Sequence, residues 1–455
     1  MVTIRLIPSL FASILILHAE PITSPLLEGP APVDNPLKGL VPYATPAKDR
    51  FPHSMEFFYI PMSDVVKAPG KYDWLALEKR LNDIASRGNQ AIFRFYLEYP
   101  GKNSGIPEHL IQGGLKVHRY TNTNTAPFPP TEVITPNYED PNLRKELTDF
   151  IAAFGKRYDG DPRIGFITAG LLGTWGEWHT HPRNELFASK AVQREVMDTY
   201  EKSFRTTPIL LRYPVGEKNE QKAENAARPF GYHDDSFAWA TLDTGRKQDD
   251  WFFIPSLKTA GPTAMDRWKT HPIGGEIRPE AWGVVFDPSP PSPVQSFDRC
   301  VTETHVTWLM DTGMFREKAK PERHARAIEA VRRMGYEFRV TSVTLDGDSL
   351  EITLVNQGIA PFYHPWPACI GILDPSGNNP LKEIPISNKL TGVLPGESAV
   401  WRIQLPSPVP PEPVILLQVP NPLKNGKPVR FANRTQDAHR SGWLTLIGKP
   451  IPAGK

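Results

Sequence analysis

Cysteine is almost missing. Cys300 and Cys369 are the two in 455 residues, too few for a disulfide framework or a Cys-based metal site. Two buried thiols, or one bridge between the two halves of the chain, are what remain. A surplus of one charge is missing as well. Lys and Arg number 52 against 50 Asp and Glu, a net charge of +2, which gives no reason to expect a nucleic-acid or membrane-surface partner. After Leu17 no apolar run approaches the ~20 residues that span a bilayer. No Gly-rich phosphate loop follows any predicted strand, so no nucleotide or other cofactor is expected.

Proline, by contrast, is abundant, at 49 residues, about twice its usual frequency. Much of it falls in the stretches Ala126 to Pro136 and Asp287 to Pro293. Long ordered loops of this kind tend to carry binding sites. The N-terminus reads as an export signal: one positive charge in Met1 to Arg5, an apolar run from Leu6 to Leu17, and a small residue, Ala19, at the cleavage position. The expectation is a signal peptide over 1–19, a secreted or periplasmic protein, and no membrane span after cleavage. Nothing in the pattern specifies an oligomeric state.

From Glu56 to Gly335, short apolar runs alternate with amphipathic helical patterns, and Gly39 to Tyr43 counts as a strand before them with no helix between. Strands are predicted at Gly39–Tyr43, Glu56–Met62, Gln90–Tyr99, Ile164–Leu172, Pro208–Tyr213, Phe230–Asp234, Pro272–Ile277 and His305–Met310. Helices are predicted after Asp73, after Asp140 with Pro141 in the first turn, over Lys190–Phe204 and over Glu322–Met334. Such alternation implies parallel strands joined by crossovers, and eight strands close a barrel. After Gly335 the texture becomes short strands with Pro and Gly turns. Tyr336–Leu345 and Ser349–Asn356 flank Asp346, Gly347 and Asp348 as a hairpin, and Ser398–Leu405 and Val414–Val419 follow. The predicted fold is α/β, a (β/α)8 barrel over 20–335 with a C-terminal all-β sandwich over 336–455.

In such a barrel the reacting groups stand at the C-terminal strand ends. Beyond the fourth strand comes Gly173 to His181, with Glu177 between Trp175 and Trp178; the seventh ends in Gly274, Gly275 and Glu276. A carboxyl among indoles is desolvated and suits a general acid, and two glycines allow close approach of a ligand to Glu276. Paired carboxylates of this kind perform glycoside hydrolysis. Period-two alternation turns Arg94, Tyr96 and Glu98 into the barrel and Phe93, Phe95 and Leu97 toward the helices. Candidate substrate contacts are Arg94, Tyr96, Glu98, Trp175, Trp178, His179, Arg212, His233, Asp234, Asp243 and Trp308, with Trp239, Trp268 and His305 near strand ends or loops. Each has a plainer reading: Arg94 and Arg212 as internal ion pairs, Glu98 as a structural acid. No metal site is expected. A metal-dependent hydrolase using His179, His181 and His233 is the weaker alternative chemistry.

Asn35 to Gly39 (NPLKG), Gly165 to His179 (GFITAGLLGTWGEWH), Gly274 to Glu276, and Asn356 to Trp366 (NQGIAPFYHPW) resemble a family of bacterial exported proteins. In that family a domain of unknown function follows a glycoside-hydrolase-like barrel. More distantly the barrel is similar to clan A glycoside hydrolases. That resemblance implies an acid/base Glu after strand four, Glu177, and a nucleophile Glu ending strand seven, Glu276. It departs at Gly176, where clan A usually has Asn. The expected function is a retaining glycoside hydrolase with a carbohydrate substrate. The alternative is a non-catalytic carbohydrate-binding or cell-surface protein on the same barrel. The aromatic segment Phe362, Tyr363 and Trp366 is expected to seal the sandwich against the barrel.

Overall fold

The computed structural model describes residues 20–44, 51–123, 129–316, 318–373 and 382–448; the expected signal segment lies outside them. Eight parallel strands form the central sheet: Gly39–Val41, Met55–Pro61, Gln90–Tyr96, Ile164–Thr168, Ile209–Leu211, Gly231–Phe237, Ile273–Ile277 and Trp308–Met310. From the second onward each pairs with the next in sequence, and the eighth pairs with the first. The remaining seam, between the first and second, is closed by a parallel bridge from Tyr43 to Phe57, with the Phe57 amide donating to the Pro42 carbonyl at 2.8 Å. The predicted barrel is therefore present and closed.

Alternation along the third strand shows why it forms. Phe93 and Phe95 point outward and meet Phe150 and Phe154 edge-on at ring distances of 4.8 to 5.8 Å; Arg94 points into the barrel. The helix that carries these partners, Pro141–Tyr158, starts as its sequence dictates. The Asp140 carboxylate accepts from the Asn142 and Leu143 amides, and Pro141 gives up no needed donor. The helix predicted after Asp73 runs Leu75–Ser86, with Trp74 at the cap and the Asp73 carboxylate accepting from the Leu75 amide. Among the described residues no helix joins the first strand to the second or the fifth to the sixth; the latter crossing is an irregular loop over 212–230. Part of the Pro-rich stretch expected to be loop is instead a hairpin, Val117–Asn122 with Thr131–Pro136.

The sandwich has two four-stranded antiparallel sheets. One contains the predicted hairpin, Phe338–Asp346 and Ser349–Asn356, with Ser398–Gln404; the other contains Lys382–Ile386, Ala368–Leu373, Val414–Gln418 and Leu444–Ile447. The first sheet takes its fourth strand, Ile22–Pro25, from the chain's beginning, which the sequence reading counted with the barrel. Two of the motifs that carry the family resemblance hold the units together. Asn35 bonds both backbone groups of Arg430, the Lys38 ammonium donates to the Tyr336 carbonyl, and the Tyr336 hydroxyl donates to the Pro36 carbonyl. His364 bonds the Gly165 carbonyl at 3.1 Å and packs on Phe166, while Phe362 and Trp366 are buried with Trp308 in one continuous cluster. The aromatic segment thus seals the barrel's base. Cys300 and Cys369 are both buried and unpaired. No described helix is long and apolar enough to cross a membrane.

Candidate active site

The loop after the fourth strand is held in an unusual conformation. Leu171, Trp175 and Trp178 all have positive φ, at 72°, 54° and 56°, a region that costs non-glycine residues free energy and tends to cluster at functional sites. Backbone bonds enforce it: the Trp175 amide donates to the Glu98 carbonyl at 3.0 Å and the Gly173 amide to the Tyr138 hydroxyl at 2.7 Å. Gly176 lies against the third strand so closely that a Cβ there would stand 2.9 Å from the Phe95 carbonyl oxygen. A side chain at that position would crowd the third strand.

This loop delivers Glu177 to the barrel mouth, where charged groups from several strands converge. Arg94 lies 3.3 Å from one Glu177 oxygen; Arg212 and His179 lie 3.3 and 3.4 Å from the other. Asp235 sits opposite. It accepts from Arg94 at 3.0 Å, and its oxygens lie 2.9 Å from both His233 Nδ1 and Arg212 Nε. Arg94 is further fixed by donating to the Thr168 hydroxyl at 3.0 Å. Glu276, at the end of the seventh strand, completes the group. One carboxyl oxygen from each of Glu177, Asp235 and Glu276 lies within 4.8 Å of the others. Among the described residues no side chain donates to Glu276, whereas Glu177 and Asp235 share two guanidinium groups.

The electrostatics follow from these contacts. Burial raises the Glu276 carboxyl well above the usual range, and the charges of Glu177 and Asp235 add to the effect. Glu177 is pushed up to about 7 by burial and by Asp235, against the pull of Arg212, Arg94 and His233. Asp235 goes the other way: burial opposes it, but Arg94, His233 and Arg212 hold it far below the usual carboxylate range. Burial, with the charges of Arg212 and Lys222, keeps His179 neutral. Its Nδ1 accepts from the His181 amide, so Nε2 carries the proton and faces Glu177. Tyr43, Tyr59 and Tyr99 stand nearby, their phenols raised by burial and by the field of Glu276. They remain protonated donors.

The convergence includes Glu177, Glu276, Arg94, His179, Arg212 and His233, all expected from sequence. Trp175 is half-buried at the rim, edge-on to Tyr99 at 6.5 Å. Other candidates stand elsewhere. Trp178 turns outward into the helix layer and its indole donates to the Ala169 carbonyl. Asp234 alternates away from the lumen and accepts from Thr241 at 2.6 Å. Asp243 is exposed and pairs with Lys258. Glu98 accepts from Thr135 and Tyr138 behind the Glu177 loop, and burial raises it to about 7. Tyr96 packs on Tyr99 and is buried. Trp308 lies fully buried under His233 at 5.2 Å. Trp268 stacks on His305 at 3.7 Å and its carbonyl accepts from Tyr363 of the sandwich, placing both rings at the barrel base. The glycines before Glu276 serve packing: a Cβ on Gly274 would fall 2.2 Å from the Trp308 ring. His181 is exposed, so the metal option built on three histidines has no cluster. The group of acids close enough to hold an ion, Glu177, Asp235 and Glu276, is already engaged by two guanidiniums.

The sixth strand was expected to end at Asp234, so Asp235 was not expected in the lumen. The strand runs to Phe237, and alternation from His233 then places Asp235 in the lumen. The tyrosines left no sequence signal beyond their strand positions.

No protein family model and no curated protein matches the sequence. Among solved structures, endo-glycoceramidase II from Rhodococcus sp., as a cellobiose-like imidazole complex, is 11% identical with a TM-score of 0.41, covering 82% of this chain and 98% of that one. Its lactosyl-enzyme intermediate covers 84% and 100%, at 11% identity and a TM-score of 0.40. Pseudomonas stutzeri endoglucanase Cel5A in complex with cellobiose is 12% identical with a TM-score of 0.36, covering 66% and 95%. Likeness at this level adds nothing to the geometry of the site.

Proposed function

We propose that the barrel mouth hydrolyses glycosidic bonds with retention of anomeric configuration, using Glu177 and Glu276 as the reacting carboxyl pair. The observation that carries this reading is their spacing. One oxygen of each lies within 4.8 Å of the other, which is compatible with the ~5–5.5 Å between carboxyl groups of a retaining pair and supports retention over the ~6.5–9.5 Å of inverting enzymes. Export from the cytoplasm, expected from 1–19, would give the enzyme polymeric glycans as substrates.

The sequence alone assigns Glu177 as proton donor and Glu276 as nucleophile. The contacts favour the reverse. Glu177 faces two guanidiniums and an imidazole N–H, all of which stabilise its anion. Glu276 has no donor and faces two anions, so the pair's shared proton resides there. In this scheme a Glu177 oxygen attacks the anomeric carbon while the bond to the leaving oxygen breaks and Glu276 gives that oxygen its proton. Glu276, now ionised, then takes a proton from water as that water's oxygen displaces Glu177 from the sugar.

Alanine variants separate the two assignments. Glu177→Ala should lose turnover on every substrate and recover it with azide. Glu276→Ala should retain turnover of aryl glycosides with good leaving groups while losing about 100- to 10,000-fold on poor ones. The opposite pattern restores the sequence-based roles. Oligosaccharide binding without any released sugar, unaffected by Glu276→Gln, would leave a carbohydrate-binding barrel in place of an enzyme.

A further inference from the structure

The charges of the mouth do not balance. Arg94 and Arg212 are matched by Glu177 and Asp235, and the proton on Glu276 removes the third carboxylate. One basic side chain is left without a counter-charge. Lys222, on the 212–230 loop, is partly buried with its ammonium 3.5 Å from the centroid of the Tyr213 ring. The Arg212 guanidinium lies over the same ring at 4.4 Å. Among the described residues Lys222 has no carboxylate partner and its ammonium no hydrogen bond. Nearby Glu224 is taken by Arg194 at 2.9 Å.

The loop does not place Lys222 there loosely. Its amide donates to the Asn219 side chain at 2.7 Å. The buried Gln193 amide clasps both neighbours, donating to the Gln221 carbonyl at 3.0 Å and accepting from the Ala223 amide at 2.9 Å. A ring face contributes about 0.5–2 kcal/mol to a cation, little against the cost of withdrawing an ammonium from water. Burial and the neighbouring Arg212 accordingly lower the Lys222 ammonium to about 7. Tyr213 and Arg212 line one cleft with Asp235 and Trp251. Trp251 is 46% exposed.

We propose that the sugar bound beside the reacting pair carries an anionic substituent, a uronate carboxylate or a sulfate ester, and that Lys222 receives it. This rests on the glycosidase reading and adds the substrate class. The anion supplies Lys222 with the partner it lacks and brings the mouth to neutrality. A neutral sugar leaves the ammonium desolvated and uncompensated.

Calorimetric titration of the full chain tests this with four oligosaccharide series: oligogalacturonates and their carboxyl-reduced counterparts, sulfated galactan oligomers and their desulfated counterparts. One charged series should bind at least ten-fold more tightly than its neutral partner, and which one identifies the anion. Lys222→Met should erase that ten-fold preference, and Lys222→Arg should keep most of it. Equal binding of charged and neutral forms, a preference that survives Lys222→Met, or no binding by any series overturns the proposal. Cleavage is read separately. A charged oligosaccharide that binds through Lys222 but is never cut defeats the hydrolase reading and leaves the anion site standing.

Discussion

Replacing Asp235 by Asn removes one negative charge while keeping the side chain's size. Asp235 raises both Glu177 and Glu276, so both should become more acidic in the variant. The size follows from distance. Two unit charges 4.8 Å apart interact by about 3.5 kcal/mol at an effective dielectric of 20, equivalent to about 2.5 pKa units. Arg94 and Arg212 screen part of this, so a fall of about 1 to 2 units is expected. The active pair holds one proton. Below the lower of its two apparent pKa values it holds two, and above the upper it holds none. Both limbs of the pH profile of kcat/KM should therefore move to lower pH, the acid limb starting from about 7 in the wild type. Infrared difference spectra of the carboxyl band give the same answer without turnover. Stability should drop by about 3–5 kcal/mol, because two buried guanidiniums lose a partner, so the titration is run where circular dichroism reports native fold. Limbs that stay in place or move to higher pH would refute the account of how this cluster shares its proton.

Glu98→Gln tests the acid behind the loop. Its folded pKa of about 7 lies above the unfolded value, so its contribution is fully present below about 4.5 and lost as pH rises through 7. Wild type should lose about 3 kcal/mol more than the variant between pH 4 and 8 in urea unfolding; parallel curves would show that Glu98 does not hold its proton. Gly274→Ala should cost about 1–3 kcal/mol or more, because the added methyl meets the buried Trp308 ring at 2.2 Å. An unchanged melting temperature would mean that the ring has room to move.

The barrel was legible because most strands carry their own apolar run and most are followed by an amphipathic helix. The start of the helix capped by Asp140 and the hairpin around Gly347 were read to within two residues. The site was legible in part, through the rule that strand ends carry the chemistry. That rule located Glu177 and Glu276 but could not rank aromatics. Trp178 neighbours Glu177 in sequence, yet its positive φ turns the indole outward into the helix layer. Trp308 stands on a barrel strand, yet it fills the floor beneath His233. Gly274 and Gly275 looked like space left for a ligand, when Gly274 is space taken by Trp308. Asp235 was lost to a strand end placed three residues early. Ion-pair partners depend on which strands face one another across the lumen, and single-sequence patterns do not carry that.

The strand Ile22–Pro25 has a consequence for the order of folding. It pairs, Ile22 opposite Leu345, with a partner that emerges only after the whole barrel has been made. In topological terms the barrel is an insertion within the sandwich, rather than a module that precedes it. During synthesis the early strand must wait with its backbone groups unpaired while all eight barrel strands are produced, and contacts of such long range are slow to form. The Asn35 and Lys38 anchors lie between that waiting strand and the barrel, and their partners Arg430 and Tyr336 are also late. The strand and its anchors can therefore pair only once the barrel and their C-terminal partners have been made.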